Sequence, residues 1–229
     1  INNRQPGKAD AAKSKLIIGS GKKLELDATV VSGVRREFLT GSLVYTGINS
    51  IKDRNANSEY KKYIGYIGDA INKKGGTACY IGNADAEKPN KSSMLIAADS
   101  SGEIDSGETE DVIIEDAAFP GGKRTDYDRL AELYKQYLPA SSFIVIETGD
   151  MERLEAFKGS MSEEAYQSYK QDVLERIDGF VKEIVSYGGL KTLVFISTYS
   201  SRANAEAGNK LTPIVVYEGK GGVLYSNNT

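Results

Sequence analysis

Histidine is the residue type whose absence restricts the chemistry of this sequence most. None of the 229 residues is a histidine. The commonest general base near neutral pH and the commonest imidazole metal ligand are therefore missing. A Ser-His-Asp or Cys-His catalytic site is excluded. A zinc site would have to consist of carboxylates and one thiol, which is unusual for zinc.

Cysteine and long apolar runs are also scarce. The single cysteine, Cys79, cannot form an internal disulfide, and its place in a predicted strand at 77–81 favours a packed thiol. No apolar run approaches the roughly 18 residues that a membrane span needs, and no signal peptide is visible. Because the chain begins with Ile1 rather than Met, we expect a processed or trimmed piece of a longer protein.

Neither sign of charge dominates the composition. The 29 basic and 32 acidic residues give a formal net charge of -3, so nothing indicates a nucleic-acid surface. Tryptophan is absent, and the 14 tyrosines fall largely on predicted helix faces, where packing explains them better than base stacking. The length and the 40% hydrophobic content predict one globular domain over 1–229.

Two apolar runs near the C-terminus organise the predicted fold. Residues 192–197 and 212–217 have the pattern of buried strands in the middle of a parallel sheet. Ligands in open α/β sheets bind beyond the carboxyl ends of such strands, so the loop 198–210 is where a site is expected. Its polar side chains include Thr198, Tyr199, Arg202 and Lys210.

Strands and helices alternate along the rest of the chain. The sequence predicts helices at 59–73, 125–138 (capped by Thr125), 151–157 and 162–187, and strands at 77–81, 92–98, 112–114, 143–146 and, as a last edge strand, 223–225. This alternation predicts an α/β fold with a mostly parallel central sheet and helices on both faces, which is a three-layer α/β/α sandwich.

An acidic run and a glycine-rich run resemble binding loops without having their spacing. DSSGEIDSGETED, at 99–111, lacks the ligand spacing of a calcium loop, and we predict an acidic β-hairpin excursion over 90–116 whose charge protects an exposed edge. GSGKK, at 19–23, meets neither the Walker spacing nor G-x-G-x-x-G, which favours a plain turn over a phosphate loop.

Four stretches, in the same order along nearly the whole chain, resemble the alkaline phosphatase superfamily. KSKLIIGSGKK is similar to the segment ending L-N-I-G-A-G of cofactor-independent phosphoglycerate mutases, and IETGDMERL is similar to their D-x-x-G-H metal motif. RIDGFVKEIV resembles V-D-x-x-I-G-x-I-V. FISTYSSRANAE, followed by LTPIVVYEG and GGVLYS, resembles T-A-D-H-G-N-A-E and the later P-V-P and G-G-x-L segments. Within the superfamily the chain resembles the branch of these mutases and phosphopentomutases, and more closely it resembles a group of uncharacterised, exported or membrane-attached proteins of Gram-positive bacteria with that fold.

The resemblance implies a fold without the family's chemistry. The enzymes use two divalent cations, held by Asp and His, to activate a Ser or Thr nucleophile. Here the nucleophile position falls near Ala11, with Ser14 close by, and the first strand of the family would lie before Ile1. Asp150 is kept as the metal-motif Asp, while the other ligand positions are occupied by Arg153 and Leu154, by Thr198 and Tyr199, and by residues 207–209.

Three functional hypotheses follow. The first is a non-catalytic domain of a cell-envelope protein that acts in binding or assembly, with no metal, no cofactor and no identified partner. Its residual site would comprise Asp150, Thr198, Tyr199 and Arg202, where a ligand is held by Arg153, Arg202 or Lys210 unless these form a solvated rim. The resemblance suggests the outer side of a bacterium and a membrane-attached parent protein.

The other two hypotheses differ in chemistry and in ancestry. The second is a phosphohydrolase or phosphotransferase with a rearranged site, in which Asp150 and carboxylates such as Asp85, Asp10 or Glu147 bind magnesium or manganese. The third is an unrelated α/β binding protein whose likeness to the superfamily is structural only.

Overall fold

The computed structural model describes residues 11–26, 33–189, 192–196, 214–219 and 222–226. Its helices are α1 (Ala11–Ser20), α2 (Ile48–Arg54), α3 (Tyr66–Lys73), α4 (Met94–Ala97), α5 (Tyr127–Tyr137), α6 (Asp150–Phe157) and α7 (Glu163–Tyr187), with 3-10 helices at Lys61–Tyr63 and Lys158–Ser160. Its strands are β1 (Val34–Arg36), β2 (Leu43–Tyr45), β3 (Ala78–Asn83), β4 (Glu103–Ile104), β5 (Ser106–Glu108), β6 (Ile113–Glu115), β7 (Lys123–Thr125), β8 (Phe143–Thr148), β9 (Thr192–Ile196), β10 (Ile214–Glu218) and β11 (Gly222–Ser226).

A small parallel sheet, in the order β5-β3-β8, carries helices on both sides of its middle strand. Every residue of β3 is buried. Ala78 and Tyr80 pack with residues of α1, α2 and α4, whereas Cys79 and Ile81 pack with residues of α5 and α7. Successive side chains of a strand point to opposite faces, which explains this division. The predicted α/β class is therefore confirmed.

The prediction of a mostly parallel sheet is confirmed only in part. Parallel pairing among the described strands is confined to β3, β5 and β8; the sheets β1-β2-β4, β6-β7 and β9-β10-β11 are antiparallel. The buried parallel strands predicted at 192–197 and 212–217 are wrong in direction and in burial. They form β9 and β10, which pair antiparallel, and Val194 and Phe195 are 50% and 39% exposed. An apolar β-branched run favours a strand but does not encode the direction of its partner.

The segment 90–116 does not form the predicted hairpin. Its first part, predicted as a strand at 92–98, contains the helix α4 instead. β4 pairs with β2, and β5 joins the parallel sheet beside β3. β6 confirms the strand predicted at 112–114 but pairs with β7. Gly107 explains why this polar run enters the sheet, because a Cβ there would lie 2.0 Å from the carbonyl oxygen of Tyr80.

The helices follow their predicted bounds where the capping pattern is strong. α7 begins after Ser162, whose side chain accepts a hydrogen bond from the backbone N–H of Ala165, as predicted. α5 is capped by Asp126, not by Thr125. The helix predicted at 59–73 is broken at Gly65, which has φ +78° and packs against the backbone of Asp99. None of the described helices combines the length and the apolar composition needed to cross a bilayer.

Candidate functional site

Charged side chains gather where the parallel strands β3 and β8 end. β3 ends at Asn83, and β8 leads through Gly149 directly into α6. The two ends lie so close that a Cβ on Gly149 would be 2.1 Å from the carbonyl oxygen of Asn83. A side chain at this glycine is therefore excluded, and the start of α6 is held against the end of β3.

Asp150, the first residue of α6, is fully buried and bound to Arg153 one turn later. Its Oδ1 accepts hydrogen bonds from the backbone N–H of Thr125 at 2.7 Å and from Arg153 Nη1 at 2.9 Å. Arg153 also donates to the Thr125 hydroxyl and to the Asn83 carbonyl oxygen. The guanidinium thus ties the metal-motif Asp of the sequence analysis to the end of β3.

The second carboxylate oxygen of Asp150 is left without a hydrogen bond among the described residues, as are Arg153 Nε and the Tyr127 hydroxyl. Burial, and then the nearby Asp150 carboxylate, raises the pKa of the Tyr127 phenol. The phenol and the carboxylate fall outside strict hydrogen-bond geometry, and the charge of the carboxylate contributes more to this pKa shift than a hydrogen bond does. The second carboxylate oxygen of Asp150 has the free lone pairs that a further ligand would need.

Glu147, near the end of β8, is bound by a buried lysine from α1. Its Oε1 accepts from Lys15 Nζ at 2.7 Å and from the Ser93 hydroxyl, and its Oε2 accepts from the Tyr80 hydroxyl at 2.5 Å. Lys15 also donates to the Ser92 hydroxyl at 3.1 Å. Burial alone would raise the pKa of the Glu147 carboxyl, but Lys15 and the two hydroxyls outweigh it and lower that pKa. The carboxylate is therefore kept ionised.

Asp85 forms the third pair, just beyond β3. Its Oδ2 lies 2.6 Å from Nζ of Lys91, which is buried although Asp85 is partly exposed. Asn83 orders this turn, because its Oδ1 accepts from the backbone N–H of Asp85 at 2.7 Å. Glu110, 3.6 Å from Lys91 Nζ, is largely exposed. The strand ends thus hold three carboxylates, each with a Lys or Arg partner.

The structure brings together four of the residues named from the sequence. Asp85, Glu147, Asp150 and Arg153 all lie at the ends of β3 and β8. Thr198, Tyr199, Arg202, Lys210, Asp10 and residues 207–209 lie outside the described residues. Ser14, near the expected nucleophile position, is buried in α1.

Sequence reasoning missed the residues that complete the charge pairs. Lys15 is a lysine next to an apolar run, which could have indicated a buried cation with a distant acid. Lys91, Tyr80, Ser92 and Ser93 had no comparable signal, because their partners lie in other elements.

The arrangement is charge-neutral and densely hydrogen-bonded. Within the described part of the chain, no three Asp, Glu or Cys side chains lie close enough together to hold a metal ion. Ser92 and Ser93, the hydroxyls nearest to Lys15 and Glu147, are themselves buried. A substrate could therefore reach them only after a rearrangement. This favours structural support of the strand ends over catalysis by these hydroxyls.

The chain matches none of the family models, curated proteins or solved structures with which it was compared. The likeness to the alkaline phosphatase superfamily therefore rests on the four sequence stretches alone.

Proposed function

We propose that this chain is a degenerate alkaline phosphatase-like domain, a three-layer α/β/α sandwich that has lost phosphotransfer and acts in binding or assembly within a cell-envelope protein. One observation carries the proposal: Arg153 occupies a position of the D-x-x-G-H motif and neutralises Asp150, the one family ligand that the motif retains. The equivalent enzymes would present that carboxylate to a cation.

Exchange of Arg153 for a metal ion would be costly. Its guanidinium is only 2% exposed, so a cation that took over Asp150 would leave a buried charge without its partner. Breaking such a pair costs about 3–5 kcal/mol. Lys15 imposes the same obstacle at Glu147, and Lys91 a weaker one at the partly exposed Asp85. Internal cations thus take the role that divalent ions have in the enzymes.

The test measures metal binding and turnover together. We expect calorimetric titration with Mn²⁺ or Mg²⁺ to show no stoichiometric binding, and p-nitrophenyl phosphate hydrolysis to stay at the rate of buffer. Arg153→Met should lower the thermal midpoint, because it leaves Asp150 buried without its cation, whereas Arg124→Met, which removes a more exposed partner of Asp116, should lower it less. The Arg124 variant controls for the loss of one positive charge.

A metal-dependent phosphohydrolase with a rearranged site is the second candidate, favoured by the unpartnered Oδ2 of Asp150. It requires stoichiometric Mn²⁺ binding to the unaltered protein, with hydrolysis that Asp150→Asn abolishes. That result would overturn the first proposal.

Common ancestry has a test of its own, which also addresses an unrelated α/β binding protein. The superfamily arrangement requires Thr198 and Tyr199 to lie beside Asp150. A crystal structure that places them elsewhere would mean that the sequence likeness does not reflect common ancestry.

A further inference from the structure

A second concave surface, remote in sequence from the strand ends, is lined by lysines. It lies between the end of α2, the 3-10 helix at Lys61–Tyr63 and the residue Ser100, and it has a volume of about 460 Å³. Lys52, Lys61 and Lys62 line it together with Glu59 and the hydroxyls of Ser58 and Ser100. The volume is in the range of small-molecule sites.

The three lysines differ from those at the strand ends in having no acidic partner. Lys15 and Lys91 are both in ion pairs, whereas none is recorded within the described residues for Lys52, Lys61 or Lys62. Three lysines therefore line one concavity together with the acid Glu59, and the Asp69 carboxylate lies behind Ser100 in the wall. Like charges in one cavity repel each other, and an anion would relieve that repulsion.

Tyrosine rings next in sequence to the lining residues contact two lysines. Lys62, which lines the cavity, has its Nζ 5.4 Å from the ring centre of Tyr63. Lys22, which does not line it, has its Nζ 5.0 Å from the ring centre of Tyr63 and 5.7 Å from that of Tyr60. A cation–π contact orients an ammonium group without cancelling its charge, so Lys62 keeps its positive charge.

The wall of the cavity is fixed by hydrogen bonds. Asp69 Oδ1 accepts from both the backbone N–H and the hydroxyl of Ser100, each at 3.0 Å. Gly65 allows this approach, because it packs directly on the backbone of Asp99 and adopts φ +78°. Ile64, which also lines the cavity, is buried. Hydrogen bonds and close packing therefore fix the backbone that forms this side of the lysine cavity.

We propose that this cavity binds a small ligand that carries two or more phosphate groups. Ammonium groups bind phosphate as point charges, and several of them around one cavity suit a multiply charged anion. The concave shape favours a soluble phosphate ester over an extended polymer. This inference does not rest on the inactive strand ends, since it involves none of their residues.

The experiment is calorimetric titration of the full chain with inorganic tripolyphosphate at low salt. We expect the variant K52A/K61A/K62A to bind at least roughly tenfold more weakly, because all three lysines that line the cavity are removed. The control K74A/K88A/K182A removes the same charge from exposed lysines outside the cavity and should change affinity by less than about twofold. Lys61→Glu alone provides a second reading, and thermal melts verify that each variant is folded.

Absence of tripolyphosphate binding by the unaltered protein overturns the proposal. So does an equal loss in the cavity and control variants, which would mean attraction to net charge rather than to a site. Vesicles of cardiolipin, which carries two phosphate groups, compared with phosphatidylcholine, distinguish the source of the phosphate: cosedimentation that tripolyphosphate reverses identifies a lipid headgroup, and its absence identifies a soluble ester. Both readouts are independent of hydrolysis, so they separate this proposal from the one on catalysis.

Discussion

Individual buried charged side chains hold the ends of β3 and β8 in place. Lys15 and Glu147 lie 132 positions apart in the sequence, yet their side chains are only 4% and 9% exposed in the ion pair. A buried pair adds little net stability as a pair, but removal of one partner leaves the other charge uncompensated.

We expect Lys15→Met to lower the free energy of unfolding by about 3–5 kcal/mol, because Glu147 would stay buried without its cation. The double variant K15M/E147Q should recover part of that loss. The control is Lys135→Met, which breaks an exposed pair with Glu183 and should change stability far less, because water screens that pair. Urea denaturation measures all three, and a Lys15 variant as stable as the control would contradict the assignment.

Cys79 gives a second prediction for a single residue. Burial raises the pKa of its thiol to about 11, although the neighbouring Ser106 and Ser141 act to lower it. The thiolate is the reactive form, so the native protein should react with a disulfide reagent at pH 7.5 far more slowly than the protein in urea. Rapid modification of native protein would place Cys79 outside the core.

The sequence predicted such residues when their own neighbours carried the information. Cys79 lies in an apolar run, and its burial was expected and is observed. Asp150 was named from a local motif after a predicted strand, and it lies just beyond the end of β8. Its pairing with Thr125 and the pairing of Glu147 with Lys15 depend on contacts between distant segments, which no local pattern contains.

Glycines determine how closely two elements can pack. At two of them we expect substitution by alanine to have opposite effects on the free energy of unfolding. Gly149→Ala should lower the free energy of unfolding by about 1–3 kcal/mol, because its Cβ would collide with the Asn83 carbonyl oxygen at 2.1 Å. Gly179→Ala, in α7, meets no atom within 4 Å and should raise it by about 0.5–1 kcal/mol. Thermal and urea unfolding of both variants measure the difference. Equal effects would mean that β3 and α6 do not meet at Gly149.

Elements were predictable from sequence where periodicity and caps agree. α7 has a buried stripe at helical spacing and a Ser162 cap, and both were expected. The short runs at 92–98 and 106–108 were not, because a stretch of a few residues fits a helix turn, a strand or a loop equally well. The antiparallel pairing of β9 and β10 could not be predicted, since pairing direction depends on the chain between them.

Acid stability is a property of the whole molecule, and three carboxyls determine its direction. The pKa of Glu147 is lowered as described above. Burial acts to raise the pKa of Glu108, but hydrogen bonds from three backbone N–H groups outweigh it, so that pKa is lowered. The hydrogen bond from Arg124 lowers the pKa of Asp116. A carboxyl with a lower pKa in the folded state stabilises the protein above its unfolded pKa. That stability is lost as pH falls through the folded value.

We therefore expect the urea midpoint to be constant between about pH 7 and pH 5 and to fall steeply between about pH 5 and pH 3. Glu147→Gln should be less stable at neutral pH but show a shallower fall, because it removes one of the protons taken up on unfolding. Unfolding curves at each pH measure the slope. An unchanged slope in this variant would mean that Glu147 has the same pKa in both states.

At this scale the sequence predicted the class of the fold but not its sheets. Alternating strands and helices gave α/β, and the helices on both sides of β3 agree with it. The arrangement into separate small sheets depends on loops that carry no periodic pattern. The lysine cavity combines residues 52–64 with Ser100, so the sequence, read along one segment at a time, could not reveal it.

The ion pair between Lys15 and Glu147 also affects when this part of the protein can fold during translation. Synthesis proceeds from the N-terminus, so α1 leaves the exit tunnel long before β8 does. During that interval the ammonium group of Lys15 lacks its partner Glu147. The nascent helix therefore cannot pack as it does in the folded protein. Final closure of this part of the fold must therefore wait until the strand that carries Glu147 has been translated.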